Sequence, residues 1–369
     1  MTQSAPTLLG RWLATVRYDG VLLGLLAAVC VLGLFVLYSA AGHNLNDVLN
    51  QAMRIGLGFA LMFLIAQLPP EWLRLTAPWL FVAGTVLLVM VLVLGDQAKG
   101  AVRWLDFKLL RFQPAEIMKL AMPMTLAAYI HMRGYPVRFL DLIVCGVLLA
   151  IPTGLVAVQP DLGTAVLIAA AGAFVLYMGG LSWRWMLAVV VLLAAATPLV
   201  WFNLHEYQQE RVLTFLNPGR DPAGAGYHII QSTIAVGSGG VFGKGWLQGS
   251  QAKLQFLPES NTDFILAVFA EEAGLIGVIL LLLLYLCIVG RGLAIALRSQ
   301  DTFQRLLAGS LSLTFFLYVF INMGMVIGIL PVVGVPLPLV SYGGTSAVVL
   351  LAGFGILMSI HTHRKLISD

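Results

Sequence analysis

A few ionisable residues interrupt the long apolar stretches of this chain, and they are the first candidates for chemistry. Glu116 and Lys119 stand three residues apart, so a helix would place them on one face, where they can form an ion pair. Asp161 opens a second apolar stretch and Asp263 opens a third. Ionisable side chains are costly inside a membrane and are functional candidates by default. For each residue alone, a helix cap or an ion pair between helices is an equally good explanation.

The chemistry that these residue types allow is acid–base catalysis beside an anion. A carboxylate within hydrogen-bond reach of a hydroxyl can take its proton as the oxygen attacks an electrophile. Residues 95–114, between two apolar stretches, carry four cations: Lys99, Arg103, Lys108 and Arg111. An anionic ligand at the membrane surface, such as a lipid phosphate, would account for this charge. Ion pairs of these cations with the acidic residues nearby, Asp96, Asp106 and Glu116, would account for it equally well.

The composition indicates an integral membrane protein. The 369 residues are 60% hydrophobic and only 10% charged, whereas a soluble domain carries roughly 25% charged residues. The net charge of +4 is not evidence for nucleic-acid binding, because most of the cations lie in the segments that connect the apolar stretches. The three cysteines all lie inside apolar runs without metal-ligand spacing, so we assign them neither a disulfide framework nor a metal.

Ten apolar stretches are long enough to be membrane helices, and they predict an all-α polytopic bundle that forms one domain over residues 1–369. The stretches are residues 19–40, 51–68, 76–95, 115–132, 140–158, 162–181, 183–203, 263–290, 303–330 and 342–363. We interpret the first as an uncleaved span, because it is longer than a signal-peptide core. Arginines concentrate in alternate connecting segments, which predicts that both termini are cytoplasmic and that residues 204–262 form one large periplasmic loop.

Two glycine- and proline-rich segments are predicted to be irregular. Residues 237–245 are rich in glycine, but Ser238 and Gly245 occupy positions where a phosphate-binding loop needs glycine and a hydroxyl residue, so we reject a nucleotide site. A close-packed, re-entrant or mobile loop fits better. Three prolines between residues 331 and 338, followed by residues 341–344, predict a non-helical lining segment, which is tolerated in a membrane only beside protein or water.

Four separated motifs resemble the hallmark segments of the shape, elongation, division and sporulation family, in that family's order. They are FQPAEIMK at 112–119, QPDLGT at 159–164, LPESNTDF at 257–264 with AEEAG at 270–274, and LPLVSYGG at 337–344. The resemblance covers nearly the whole chain. The short N-terminus and the overall length resemble the elongation member of the family more than the division member.

The resemblance implies a peptidoglycan glycosyltransferase of the bacterial inner membrane, which polymerises lipid II on the periplasmic side during cell elongation. It implies that Asp263 is the catalytic carboxylate. Substrate-binding candidates are Lys119, Glu116, Asp161, Arg111 and Arg103, of which the cations would stabilise the diphosphate leaving group. A divalent cation, Mg²⁺ or Mn²⁺, bridging the diphosphate and Asp263 is a further hypothesis. The implied partners are a class B penicillin-binding protein and other membrane proteins of the elongation complex.

Two other functions remain open at this point. A lipid II flippase could use the same charged cavity, although the first and last five spans show no clear internal repeat of the kind found in transporters. A scaffold that only recruits wall-building partners would not require Asp263 beside the intramembrane residues Glu116 and Lys119.

Overall fold

The computed structural model of the chain describes residues 18–94, 96–98, 101–106, 111–134, 138–203, 225–250 and 259–363, and a few positions between 209 and 219. The helices are α1 (Gly20–Ala40), α2 (Leu45–Gln67), α3 (Pro70–Leu94), α4 (Pro114–Arg133), α5 (Phe139–Val158), α6 (Leu162–Met178), α7 (Trp183–Asn203), α8 (Ala225–Ser238), α9 (Ile265–Leu297), α10 (Thr302–Val326) and α11 (Thr345–Thr362). The strands are β1 (Asp96–Ala98), β2 (Ala101–Asp106) and β3 (Arg111–Phe112).

A helix lies at each of the ten predicted apolar stretches. Within the described residues, seven helices are long and apolar enough to cross a membrane: α1, α2, α3, α5, α9, α10 and α11. Two features were not predicted. The basic segment 95–114 contains a small antiparallel sheet of order β1-β2-β3, and the segment 204–262 contains the 14-residue helix α8.

The core of the bundle is built around α4 and α10. One face of α4 is completely enclosed, since Met118, Met122 and Leu126 are all 0% exposed, and α4 packs against α3, α6 and α10. Helices α2 and α11 approach closely at a glycine: a Cβ added at Gly355 would lie 2.6 Å from the Met62 carbonyl oxygen. Such small residues allow membrane helices to pack backbone to backbone.

Helix α9 is broken at Gly274, which has φ 68° and ψ −170°, a conformation that favours glycine. The loop that follows α8, residues 239–250, fits against this break, and we call it the glycine loop. Its backbone bonds α9 on both sides of the break: Lys244 N donates to the Glu271 carbonyl (3.0 Å), and Leu275 N donates to the Gly240 carbonyl (3.0 Å). The glycine-rich stretch is therefore a closely packed loop, one of the forms predicted for it.

Residues 331–344 form no helix or strand, as predicted, and we call them the proline segment. Side chains from α2 and α9 hold its backbone. The Tyr285 hydroxyl donates to the Pro338 carbonyl (2.7 Å), and the Gln51 amide donates to the Ser341 carbonyl (3.2 Å). The Ser341 hydroxyl donates to the Thr262 carbonyl (2.6 Å), which ties the proline segment to the turn before α9.

The end of the bundle where α1 ends and α9 begins carries the predicted site residues, and we call it the site end. The opposite end is held by a separate ion pair. Asp19 caps the start of α1 and accepts a hydrogen bond of 2.7 Å from the Arg291 guanidinium near the end of α9. This contact joins the first and ninth helices away from the candidate site.

Candidate active site

Glu116 and Lys119 form the ion pair that their spacing predicts. Lys119 Nζ lies 2.6 Å from Glu116 Oε1, and both residues are 5% exposed. The ammonium also donates to the hydroxyl of Tyr318 on α10. Because a lysine ammonium has three N–H donors, these two bonds leave one donor for another oxygen.

Asp161 stands at the start of α6 and has two kinds of partner. Its Oδ1 accepts from Thr164 N (3.3 Å), which makes it the N-cap of α6. Its Oδ2 accepts from the Gln113 amide (3.0 Å), immediately before α4. Asp161 therefore caps α6, and the same carboxylate also joins the start of α6 to the start of α4.

Asp263 lies one residue before Phe264, which occupies the N-cap position of α9. Asn322 on α10 fixes the backbone here, because its amide nitrogen donates to the Asp263 carbonyl (2.9 Å) and to the Val335 carbonyl (2.8 Å). The Asp263 side chain lies beside Gly334, where an added Cβ would be 3.5 Å from Oδ2. Asp263 is partly exposed, in contrast to the buried pair in α4.

Two structural elements bring these groups together. Tyr318 and Asn322 are four residues apart on α10, so they lie on one face, roughly 6 Å apart; one contacts Lys119 and the other holds Asp263. The proline segment supplies the second link. A Cβ added at Gly163 would lie 2.8 Å from the Val333 carbonyl oxygen. The start of α6 therefore packs against Val333, and the next residue, Gly334, is the one beside the Asp263 side chain.

This convergence of carboxylates and one lysine from separate helices can support proton transfer beside an anionic group. A family model described as “Cell cycle protein”, for the FtsW, RodA and SpoVE proteins, matches residues 20–366. The chain belongs to this FtsW/RodA/SpoVE family.

Relatives in the FtsW/RodA/SpoVE family match along almost their whole length. The peptidoglycan glycosyltransferase MrdB of Escherichia coli K12 is 52% identical over 354 residues, which cover 96% of each protein. The probable peptidoglycan glycosyltransferase FtsW of Geobacter metallireducens is 37% identical over 365 residues, which cover 95% of this chain and 96% of that protein. The sequence identity to MrdB, a RodA protein, is higher than the identity to FtsW. This difference supports the resemblance to the elongation member, RodA.

Solved structures have the same fold. The Thermus thermophilus rod shape determining protein RodA has a TM-score of 0.73 at 31% identity, with 96% of this chain and 100% of that chain covered. A second solved structure is described as “Structural coordination of polymerization and crosslinking by a peptidoglycan synthase complex”. One of its chains has a TM-score of 0.83 at 37% identity, with 95% of this chain and 99% of that chain covered. With its apolar helices, this member of the family is a multi-pass membrane protein.

Two further predicted residues are described by their backbone alone. Arg103 lies in β2 and Arg111 in β3, but their side chains lie outside what the structure describes. β2 packs against α3 and α4, so its backbone is near the helix that carries Glu116. In the described part of the chain, no three residues among His, Cys, Asp and Glu gather as metal ligands.

Sequence reasoning missed Tyr318 and Asn322, the two residues of α10 that contact the predicted groups. A signal was present, since both are polar, four residues apart and inside an apolar run. Gln113 lies in a recognised motif, but its hydrogen bond to Asp161 was not predicted.

Proposed function

We propose that this chain is a peptidoglycan glycosyltransferase that polymerises lipid II into glycan strands during cell elongation. The observation that carries the proposal is the convergence of Asp263, Asp161 and the Glu116–Lys119 pair at one end of the bundle. Support comes from the relatives named above as peptidoglycan glycosyltransferases, one of them 52% identical over nearly the full length.

In the proposed reaction, a sugar hydroxyl of the acceptor attacks the anomeric carbon of the donor. The new bond joins this oxygen to the anomeric carbon, and the bond from that carbon to the diphosphate oxygen breaks. Asp263 takes the hydroxyl proton, for which its partial exposure beside Gly334 gives access. The polyprenyl diphosphate leaves with the electron pair of the broken bond.

The leaving group gains negative charge, which nearby cations stabilise. Lys119 is the buried candidate, since Glu116 and Tyr318 hold its ammonium and leave one donor for a diphosphate oxygen. Glu116 fixes the position of the ammonium, and Asp161 orients the start of α6. Arg103 and Arg111 are further proposed cations for the same diphosphate.

The proposed setting is the bacterial inner membrane, with ten spans in a single domain and both termini in the cytoplasm. The site end and residues 204–262 then face the periplasm. The proposed partners are a class B penicillin-binding protein and other elongation-complex proteins. A 37% identical chain from a complex named for polymerisation and crosslinking supports a crosslinking partner.

Polymerisation of labelled lipid II by the purified full-length chain tests the function. We expect glycan strands in a gel assay from the wild type and none from Asp263→Asn. A wild type that moves lipid II across vesicle membranes without forming polymer would instead favour the flippase. A chain with neither activity, yet able to recruit the partner, would favour the scaffold.

A further inference from the structure

The glycine loop packs against the side of α9, below the start of that helix. Its partner Glu271 lies six residues beyond the start of α9 at Ile265, about 9 Å along the helix axis. The Glu271 carboxylate is completely buried and accepts from Lys244 Nζ (2.6 Å) and from Ser250 N (2.9 Å). Bonds of this kind to a buried charge fix the loop at that depth.

A groove runs between α1, α9 and the glycine loop. Its volume is about 470 Å³, within the roughly 300–1,000 Å³ of typical small-molecule sites. Ala28 and Phe35 of α1 form one wall and Phe269 of α9 forms the other, with Trp246 of the loop closing one end. Trp246 is anchored by an edge-to-face contact with Phe35 at 6.0 Å.

The groove presents hydrocarbon rather than polar groups. Its charged residue, Glu272, is held away from any ligand, because its carboxylate accepts from the Ser39 hydroxyl and from the backbone N–H groups of Leu247 and Gly249. Phe35 and Trp246 are 58% and 53% exposed, so the groove is open at the side of the bundle. An apolar chain is therefore the kind of ligand that fits.

The position of the groove matches one leaflet of a bilayer. From Phe269 to Ala28, it extends from about 6 to about 18 Å below the site end, and half of a bilayer core is about 15 Å. It also begins next to the candidate site: Ser260, three residues before Asp263, donates to the Ala40 carbonyl at the end of α1 (3.4 Å). A lipid whose head group reaches Asp263 can therefore place its chain in this groove.

We propose that the groove between α1, α9 and the glycine loop binds the first part of the polyprenyl chain of the lipid-linked substrate. This inference rests on the proposed function, since it assigns a position to the chain of that substrate. The branched, unsaturated chain packs against Phe35, Trp246 and Phe269. Binding there orients the diphosphate end toward Asp263.

Photolabelling tests the position directly. Full-length protein in phosphatidylglycerol nanodiscs is irradiated with lipid II that carries a diazirine in its prenyl chain, and labelled peptides are mapped. We expect label on the α1 and α9 peptides that line the groove, displaced by unlabelled lipid II and not by added phosphatidylglycerol. Label elsewhere, or displacement by phosphatidylglycerol alone, would overturn the proposal and show ordinary lipid in the groove.

A matched pair of substitutions completes the test. Ala28→Phe fills the groove, whereas Ala60→Phe places the same side chain at an exposed position on α2. We expect Ala28→Phe to abolish the groove label and raise KM for lipid II about tenfold without changing kcat, since each buried CH₂ adds to binding. Ala60→Phe should match wild type. Equal effects of both variants contradict the groove. A wild type that is labelled but forms no polymer contradicts only the proposed function.

Discussion

Asn322 holds the backbone of Asp263 through one hydrogen bond and the proline segment through another. Its amide nitrogen donates to the Asp263 carbonyl (2.9 Å) and the Val335 carbonyl (2.8 Å), and Asn322 is 0% exposed. Since both partners are carbonyl oxygens, the group that faces them must be the NH₂ group. Asn322 is therefore a positioning residue for the proposed catalytic carboxylate.

Asn322→Asp should lower kcat for lipid II polymerisation about 10²-fold with little change in KM. The variant puts a carboxylate oxygen against two carbonyl oxygens, and small misplacements of a catalytic group cost rate on this scale. Steady-state kinetics measure the effect.

The matched control is Ser310→Ala on the same helix, where a buried hydroxyl donates to the Ala171 carbonyl (2.7 Å). This variant should lower Tm while kcat stays near wild type. An equal loss of kcat in both variants would reduce Asn322 to a general stabilising residue.

Asp263→Asn should abolish strand synthesis and leave folding and partner binding intact. Asn keeps the size of the side chain but cannot accept the proton, and loss of a general base costs about 10²–10⁴-fold. A lipid II gel assay with a Tm measurement checks both parts. A well-folded variant with near-normal synthesis would show that Asp263 is not the general base. Asp161 and Glu116 would then be the next candidates.

Lys119→Ala and Glu116→Ala should each lose most activity, and Lys119→Arg should retain some. Removing either partner leaves a buried charge unpaired, which costs about 3–5 kcal/mol. Activity per folded molecule, with protein level and Tm, separates ligand binding from stability.

The double variant Glu116→Gln with Lys119→Met removes both charges and should recover much of the lost stability. If activity returns with stability, the pair is structural; if it does not, Lys119 acts on the substrate.

The Asp19–Arg291 pair should make stability depend on acid pH. Burial raises the pKa of Asp19, but hydrogen bonds from Arg291 and Leu22 N outweigh it, so the pKa lies below its ordinary value. The stabilisation is therefore complete above the unfolded pKa of about 3.9 and is lost as the pH falls through the lower folded pKa.

Asp19→Asn should lower Tm at pH 7 by removing a charged hydrogen bond worth about 1.5–3 kcal/mol. The difference from wild type should shrink as the pH falls below about 4. His361 also faces this carboxylate, with its Nε2 4.0 Å from Asp19 Oδ2. A difference that stays constant with pH would contradict the role of this pair.

Cysteine labelling should show that two engineered positions lie on opposite sides of the membrane. In a background without Cys30, Cys145 and Cys287, a membrane-impermeant reagent on intact cells should modify Arg220→Cys and not Leu366→Cys, following the arginine distribution. Permeabilised cells give the control in which both react. The reverse pattern would overturn the topology and the periplasmic site.

The helices could be predicted from sequence because an apolar run of about 20 residues has few alternatives to a membrane helix. The boundaries were less predictable. Helix α9 runs from Ile265 to Leu297, beyond the predicted 263–290. Arg291, just past the predicted end, lies inside the helix and is paired with Asp19, a partner far away in sequence. Helix α8 is only moderately apolar and too short for a span, so nothing in its composition separated it from a loop.

The candidate site was predictable where partners are local. The spacing of Glu116 and Lys119 places them on one helix face whatever the rest of the fold does. Tyr318 and Asn322 acquire their roles only through the packing of α10 against α4 and against the turn before α9. No local sequence pattern predicts which face of an apolar helix packs against which neighbouring helix.

The glycine loop braces the bend in α9. It is bonded to Glu271 before Gly274 and to Leu275 after it, so the angle between the two parts of the helix is set by the loop. The outer part is the one that continues into the Asp263 turn. A longer or shorter glycine loop would therefore redirect the proposed catalytic carboxylate without altering a single residue that touches substrate.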